Sequence, residues 1–390
     1  MELPNNHKEK SLRQTLLVFS LAGAVLFSLI SITLMESFLA LALVFWLTTL
    51  FKRELKFLVP AFFWPLLAYA ALSFFVCFFS VNPKMSFKDS RELLLYLVVP
   101  LTMSALAVRR GRVWTTQALL AAGLLSSVYS IGYFFLRSQP GERIQGFMGH
   151  YMTQAGLLLL FLCAAMAFLL FSRARTRWIW GIAFVLAALS LALTLTRSAW
   201  IGFVVAFAFL LFLYRPRALI FVPVVISLFL LVSPRPMKQR AFSIFSLQNY
   251  ANKHRIEYLK AGWRIIREFP LHGTGPDTVD MVFQNPKYGL SEISRRNVHL
   301  HNNVVQIAAE RGIPALLAWL AFIAWTLQAL LKLLRDREAA VFPVAAAGAA
   351  ALLALFTAGL FEYNFADSEI AVLFLFLITA PFATPKEGAS

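Results

Sequence analysis

The side chains best suited to chemistry gather in the string Val298-His299-Leu300-His301-Asn302-Asn303, where two imidazoles stand beside two amides. An imidazole, with a reference pKa of about 6.5, can take or give a proton near neutral pH, and Asn302 is a candidate to set the orientation of His301. Two arginines stand apart from the other cations. Arg197 makes up almost the whole polar connection between two apolar runs, directly after Thr194-Leu195-Thr196. A guanidinium in so tight a turn has little freedom, and its planar fork suits a phosphate; the plainer alternative is a side chain that snorkels outward. Arg255 opens a stretch of helical periodicity, 253–269. At 100° per residue Lys253, Lys260, Arg264 and Arg267 share one face, while Ile256, Leu259, Trp263 and Ile266 share the other, and Arg255 falls among the latter. A cation on an apolar face needs an anion, unless the first turn frays and frees it.

The same construction on 297–312 puts His301 at the centre of an apolar stripe of Leu300, Val304, Val305, Ile307 and Ala308. His299 falls with Asn303, Gln306 and Glu310 on a polar face. A lone histidine on an apolar face is more often structural than catalytic. Its place in the one long polar interval, 233–311, favours chemistry: that interval holds four of the six histidines and twelve of the thirty-six Lys and Arg residues, against six acids. Two shorter polar stretches add candidates. In the loop 137–150, Gly141, Gly146 and Gly149 allow tight turns, and Arg143 and His150 can face a ligand or merely anchor an ordinary turn. The turn 361–369 carries three carboxylates, Glu362, Asp367 and Glu369, which can bind a sugar, steer a base, or simply be solvated. The turn Pro270–Pro276 has two glycines but no following Lys-Ser/Thr, so it is no phosphate loop.

The elements that position these residues are apolar helices. With 59% hydrophobic and only 14% charged residues, the chain reads as an all-α polytopic membrane protein. About twelve runs approach the roughly 20 residues a bilayer crossing needs: 15–34, 37–51, 57–79, 93–108, 113–136, 151–171, 178–196, 198–213, 218–232, 312–331, 339–361 and 369–383. Residues 1–232 thus supply nine spans, 233–311 a long loop with amphipathic helices, and 312–390 three more spans. The first run lacks a cleavage site and reads as a retained anchor. The net charge of +17 follows topology and gives no sign of a nucleic-acid surface. Lys8, Lys10, Arg13, Lys52, Arg53, Lys56, Arg109, Arg110, Arg112, Arg173, Arg175, Arg177, Arg215, Arg217, Lys332, Arg335, Arg337 and Lys386 fall on one side. The opposite short loops hold Lys84, Lys88, Arg91, Arg137, Arg143 and Arg197. The positive-inside rule puts both termini in the cytoplasm and the long loop across the membrane. Cys77 and Cys163 lie inside apolar runs as small hydrophobes. Residues 1–136, with Glu36 and the loop 80–92, read as scaffold.

In order and in side of the membrane, these pieces resemble the O-antigen ligase/polymerase superfamily. The resemblance rests on Arg197 after a Thr-rich span end, Arg255 on a helix before Pro270-Leu271-x-Gly273-x-Gly275, and then His301-Asn302-x-x-x-Gln306-x-x-x-Glu310-x-Gly312-x-Pro314. The strings 146–153 (GFMGHYMT) and 361–369 (FEYNFADSE) resemble the ligase branch, and the likeness runs from about Arg143 to Glu369. Pro314 stands where a Gly is common, a change the first turn of a helix tolerates.

The resemblance implies glycan transfer at the periplasmic face of a bacterial inner membrane, from undecaprenyl pyrophosphate to a sugar hydroxyl of the lipid A core. It implies Arg197 and Arg255 on the pyrophosphate and His301 as base in a single inverting displacement. Asp367 or Glu369 would orient acceptor or base, with Asn302, Arg143 and His150 as further candidates around the acceptor. No cofactor or metal is implied, arginines standing in for the divalent ion. A polymerase, or a protein O-oligosaccharyltransferase with a Ser or Thr acceptor, would share donor and arginines. A transporter is the alternative of another class; spans almost free of interior charge argue against it.

Overall fold

In the computed structural model, which describes residues 4–55, 57–137 and 142–383, the described residues are helical or irregular and contain no strand. Lys56, Gly141 and Lys386 lie outside the described residues, as do the side chains of Lys8, Lys10 and Arg137. In chain order the helices are α1 Pro4–Phe27, α2 Ile32–Phe51, α3 Phe63–Val76, α4 Pro83–Asp89, α5 Val98–Leu106, α6 Arg109–Arg137, α7 Tyr151–Phe171 and α8 Arg177–Leu193. There follow α9 Arg197–Tyr214, α10 Phe221–Val232, α11 Arg235–Phe242, α12 Tyr250–Glu268, α13 Val279–Phe283, α14 Asn303–Leu333, α15 Phe342–Gly359 and α16 Ser368–Thr379.

Among the described residues six helices (α2, α6, α7, α9, α14 and α15) are long and apolar enough to cross a membrane, and five shorter apolar helices accompany them. The expected run 93–108 takes a different form. It is an eight-residue 3₁₀ segment, Ser90–Leu97, that leads into the nine-residue α5. Pro100 accounts for the break, because its ring crowds the carbonyl four residues back and it has no amide hydrogen to give.

The bundle is built around α7, whose residues from Thr153 to Ala167 are buried without interruption. It packs on α15, where the alanines 345–347 and 349–351 are all buried. Small side chains let helix backbones approach closely, which is how apolar helices associate in lipid. Gly202 of α9 shows how close: a Cβ there would stand 2.6 Å from the carbonyl oxygen of Ala354.

The long polar interval has a small core of its own. Tyr258, Ala261, Ile265 and Ile266 of α12 meet Val279, Phe283, Leu300, Ala308 and Ala309. The packed face of α12 therefore differs from the expected one. Ile256, Leu259 and Trp263 are exposed, and Gly262 faces α14, where a Cβ would lie 2.3 Å from Val305 Cγ1. The smallest side chains permit the closest contact, so they mark the interface, and the larger apolar residues are left facing outward.

The turn Pro270–Pro276 docks by its backbone. Thr274 and Gly275 donate to the carbonyls of Ala309 and Glu310 at 2.9 and 2.8 Å, and Ile313 donates to Pro270 at 2.8 Å. Gly312, at φ 79° and ψ 170°, interrupts α14 beneath this turn. A Cβ on Gly273 would stand 2.3 Å from the carbonyl carbon of Glu310, and one on Gly312 would stand 2.2 Å from Leu271 O. Both glycines are there for close backbone approach.

Candidate active site

The helix expected over 297–312 begins later. Asn302 is the N-cap of α14: its Oδ1 accepts from Val305 N at 3.0 Å and its Nδ2 donates to Leu360 O at 2.8 Å. His301 precedes the helix with φ 51°, a left-handed backbone uncommon for a side chain of this size. It is a loop residue, so it does not centre an apolar stripe. The residues assigned to a polar face are buried instead. Asn303 grips the next turn, accepting from Asn364 N and donating to Asn364 Oδ1 at 2.9 Å. Gln306 accepts from Leu300 N at 2.7 Å, and Glu310 accepts from Arg311 at 2.8 Å. The amide and carboxyl groups of this stretch fasten the loop that carries His301 to the turn between α15 and α16.

That turn supplies the partner of His301. Glu362 Oε1 stands 2.7 Å from His301 Nδ1, and Asn297 Nδ2 meets His301 Nε2. With the amide donating to Nε2, the ring proton sits on Nδ1 and points at Glu362. Burial works to raise the Glu362 carboxyl, but the hydrogen bond from His301, the charge of His301 and the nearby Arg255 outweigh it, leaving it below the usual carboxylate range. Asn302 braces the backbone; it does not orient the ring. Glu369 is buried in the first turn of α16, where it accepts from Ser368 Oγ at 3.0 Å, and it lines no cavity near His301.

Arg197 is 4% exposed and opens α9. Its Nη1 donates to Ser243 O and Oγ at 3.1 and 3.0 Å, and among the described residues it pairs with no carboxylate. The turn before it is held by two other arginines. Arg143 donates to Thr194 O, Leu195 O and Thr196 Oγ1 at 3.0, 3.3 and 3.0 Å and lies over the Tyr151 ring, while Arg240 donates to Leu195 O at 3.2 Å. Leu195 has φ 53°. This backbone departs from the helix and turns its carbonyl toward both guanidinium groups. Arg143 is thus a brace for the Arg197 turn, and burial pushes its guanidinium down to about 10.

Arg255 lies well inside α12, so no frayed turn frees it, and its side chain makes no hydrogen bond or ion pair among the described residues. It projects from the flank of the helix into a cavity of about 230 Å³. Arg197, His301, Asn252, Ile256, Leu259 and Phe361 line the same cavity. Burial lowers the Arg255 guanidinium, which Glu362 partly restores. Arg143, Arg197, Arg240 and Arg255 lie close enough for their charges to repel. So many cations around one space favour an anion there.

A second cavity, about 120 Å³, lies behind the His301–Glu362 pair. Ser198 lines both spaces, and His150, His299, Glu362, Tyr363 and Asp367 line the second. Asp367 accepts from Thr153 Oγ1 at 3.2 Å, and His150 Nδ1 lies 3.3 Å from the same hydroxyl. Burial, Glu369 and Glu362 push the Asp367 carboxyl up to about 7. His299 is set against the Tyr363 ring, its Nδ1 buried without a partner among the described residues, and burial and His301 lower its pKa. Asn297, Arg240 and Ser243 are not singled out in the sequence, and Glu362 is read there only as one of three carboxylates in its turn. The carboxylate-rich turn was the one signal for Glu362; nothing local distinguishes the other three.

Residues 182–320 match the family model for O-antigen ligase. Over that stretch the chain is similar to the O-antigen ligase family. Arg197, Arg240, Arg255 and His301 all fall within the matched residues, while Arg143, Glu362 and Asp367 come from turns outside them. Members of this family are membrane glycosyltransferase-like enzymes, ligases or polymerases, that act on glycan and lipid substrates. No curated protein matches the chain.

Proposed function

We propose that the protein is an O-antigen ligase: it moves a polysaccharide from undecaprenyl pyrophosphate to a sugar hydroxyl of the lipid A core, with inversion at the anomeric carbon. The observation that carries this reading is the convergence of Arg197, Arg255 and His301 on one cavity, with Glu362 bonded behind the imidazole. In the reaction the acceptor hydroxyl replaces the Asn297 amide at His301 Nε2. As the hydroxyl oxygen bonds to the anomeric carbon, its proton passes to Nε2. The bond from that carbon to the phosphate oxygen breaks, and its electron pair leaves on the pyrophosphate. Glu362 stabilises the imidazolium through Nδ1–H, in the manner of a carboxylate behind a catalytic histidine. Arg197 and Arg255 meet the charge that grows on the leaving group. Arg143 and Arg240 hold the Arg197 turn, and His150 and Asp367 line the space for acceptor sugars.

In this reading twelve segments cross a bacterial inner membrane, counting Ser90–Leu106 as one, with both termini cytoplasmic. Residues 233–311 and the turns beside them then lie in the periplasm, where the lipid-linked donor is met at the bilayer edge. The test is reconstitution of the purified chain with undecaprenyl-pyrophosphate glycan and three acceptors: lipid A core, growing glycan and a Ser/Thr peptide. Transfer to the lipid A core, reduced by about 10²-fold or more in His301→Ala, is expected. Transfer to another acceptor alone refutes the ligase assignment, and unimpaired transfer by the variant refutes the base.

A further inference from the structure

The largest cavity among those described, about 770 Å³, has no part in the catalysis outlined above. It lies between α2, α4 and the 3₁₀ segment Ser90–Leu97. Its wall brings three chemistries together. Leu39 and Leu43 of α2, Leu94 of the 3₁₀ segment and Leu101 of α5 make an apolar side. Lys84, Lys88 and Arg91 bring cations to it, and Glu36, Asp89, Glu92 and Asp277 bring carboxylates, Asp277 lying near enough to Lys88 to feel its charge. The wall itself is unusual. A 3₁₀ run of eight residues is uncommon, this one buries none of its side chains, and Leu94 is 63% exposed. An apolar face of that kind beside a membrane bundle is open to lipid.

The cleft comes close to the candidate active site. Ser368 lines it, and Asp367, one residue earlier, lines the 120 Å³ cavity behind His301 and Glu362. A second link runs through Asp89. This residue borders the cleft and also a small space walled by Arg311 and Tyr363, and Tyr363 borders the 120 Å³ cavity. Arg311 joins the two sides, donating to Asp89 at 3.2 Å and to the Tyr363 hydroxyl at 3.2 Å.

We propose that this cleft seats the acceptor, a phosphorylated glycolipid held by its chains and its phosphate while its sugars extend past Ser368 to Asp367. The proposal rests on the glycosyl-transfer reading above. Each part of the wall excludes a different occupant. The leucines disfavour a water-soluble glycan or an unfolded peptide, and the lysines disfavour an uncharged lipid. The carboxylates are hydrogen-bond acceptors for sugar hydroxyls, which a simple phospholipid lacks. Donor and acceptor then approach the His301–Glu362 pair through separate cavities, which a reaction between two membrane-anchored substrates requires.

The test is equilibrium binding of a radiolabelled, acylated disaccharide phosphate to the full chain in phosphatidylcholine nanodiscs, with undecaprenyl diphosphate binding measured in parallel. Lys84→Glu/Lys88→Glu, and separately Ala40→Trp, which places a bulky ring on an exposed lining position, are each expected to weaken the glycolipid at least tenfold. Undecaprenyl diphosphate binding should stay within twofold, which also reports that the variants are folded. The dephosphorylated glycolipid should bind the unaltered protein about tenfold more weakly and be indifferent to the lysine reversal. Unchanged glycolipid binding in the variants overturns the proposal, and so does displacement of the probe by an equal concentration of phosphatidylglycerol. Binding is read without turnover, so a failure of the transfer reaction itself is seen separately.

Discussion

Replacing Glu362 by Gln keeps the shape of the turn and removes one charge, so it isolates what the carboxylate does for His301. The Nδ1–Oε1 separation is 2.7 Å, which sets the charge centres of an imidazolium and a carboxylate about 4 Å apart. At an effective dielectric of about 20, such a pair interacts by about 4 kcal/mol. A neutral amide keeps a hydrogen bond worth about 1 kcal/mol, so the variant loses about 3 kcal/mol where the imidazolium forms. That corresponds to a fall in kcat of roughly 10²-fold. Donor affinity should move the other way. Glu362 offsets the charge of Arg255, so undecaprenyl diphosphate should bind the Gln variant at least as tightly as the unaltered protein. Single-turnover transfer beside equilibrium donor binding separates the two effects. The Glu362 carboxyl is held below its ordinary value of about 4.3 by His301 and Arg255 against the pull of burial. Its contribution is therefore complete above that value and is lost only as pH falls through the lower one, so the two proteins should converge only in strong acid. A fall in kcat below threefold, or a parallel loss of donor affinity, refutes the reasoning.

Arg255→Lys replaces a two-pronged donor with a point charge inside the cavity and should weaken undecaprenyl diphosphate about tenfold or more. Lys260→Ala, on the exposed face of α12, should change it less than twofold; equal, mild effects would remove Arg255 from the donor site. Gly312→Ala forces a Cβ to 2.2 Å from Leu271 O at φ 79°. It should destabilise the protein by about 2 kcal/mol or more, read as a lower Tm in detergent. Asp367 shows the opposite linkage to Glu362, since its carboxyl is raised to about 7. The folded chain then holds a proton that the unfolded chain releases near pH 4, so this group makes stability fall as pH rises from about 4 to 7. Asp367→Asn should flatten that part of the Tm–pH curve, and an unchanged slope would show that the carboxyl is already ionised at neutral pH.

The all-helical character of the chain, the division between apolar runs and one polar interval, and the residues Arg197, Arg255 and His301 are legible in the sequence. Each rests on a local contrast: an apolar run against a polar one, a cation with no room to leave its turn, an imidazole beside amides. The orientation of α12 is not legible, because hydrophobicity ranks Trp263 and Leu259 above Ala261 and Gly262. Close packing favours the small pair, since they let α14 approach. The start of α14 is missed for a related reason. Asn302 caps the helix through its side chain, and a cap breaks the periodicity that places His301 on a stripe. Glu362 lies sixty-one residues from His301, and no spacing rule joins a carboxylate in one turn to an imidazole in another.

The chemistry of this end of the bundle is bound to its architecture by adjacent residues with different duties. His301 faces the cavity, while Asn302 caps α14 and holds Leu360, and Asn303 holds Asn364 and Phe365. Asn302 and Asn303 therefore hold the chain on both sides of Glu362, the partner of His301. The left-handed backbone at His301 follows from this, since the chain must turn the imidazole outward one residue before the helix begins. Such a conformation is unfavourable for histidine by itself, and the cap and the amide bonds that surround it keep it in place. The proposed glycosyl transfer would need the proton acceptor, its carboxylate and the cations at the leaving group in register before either lipid arrives. Rigid turns at the ends of packed helices supply that register better than a mobile loop would.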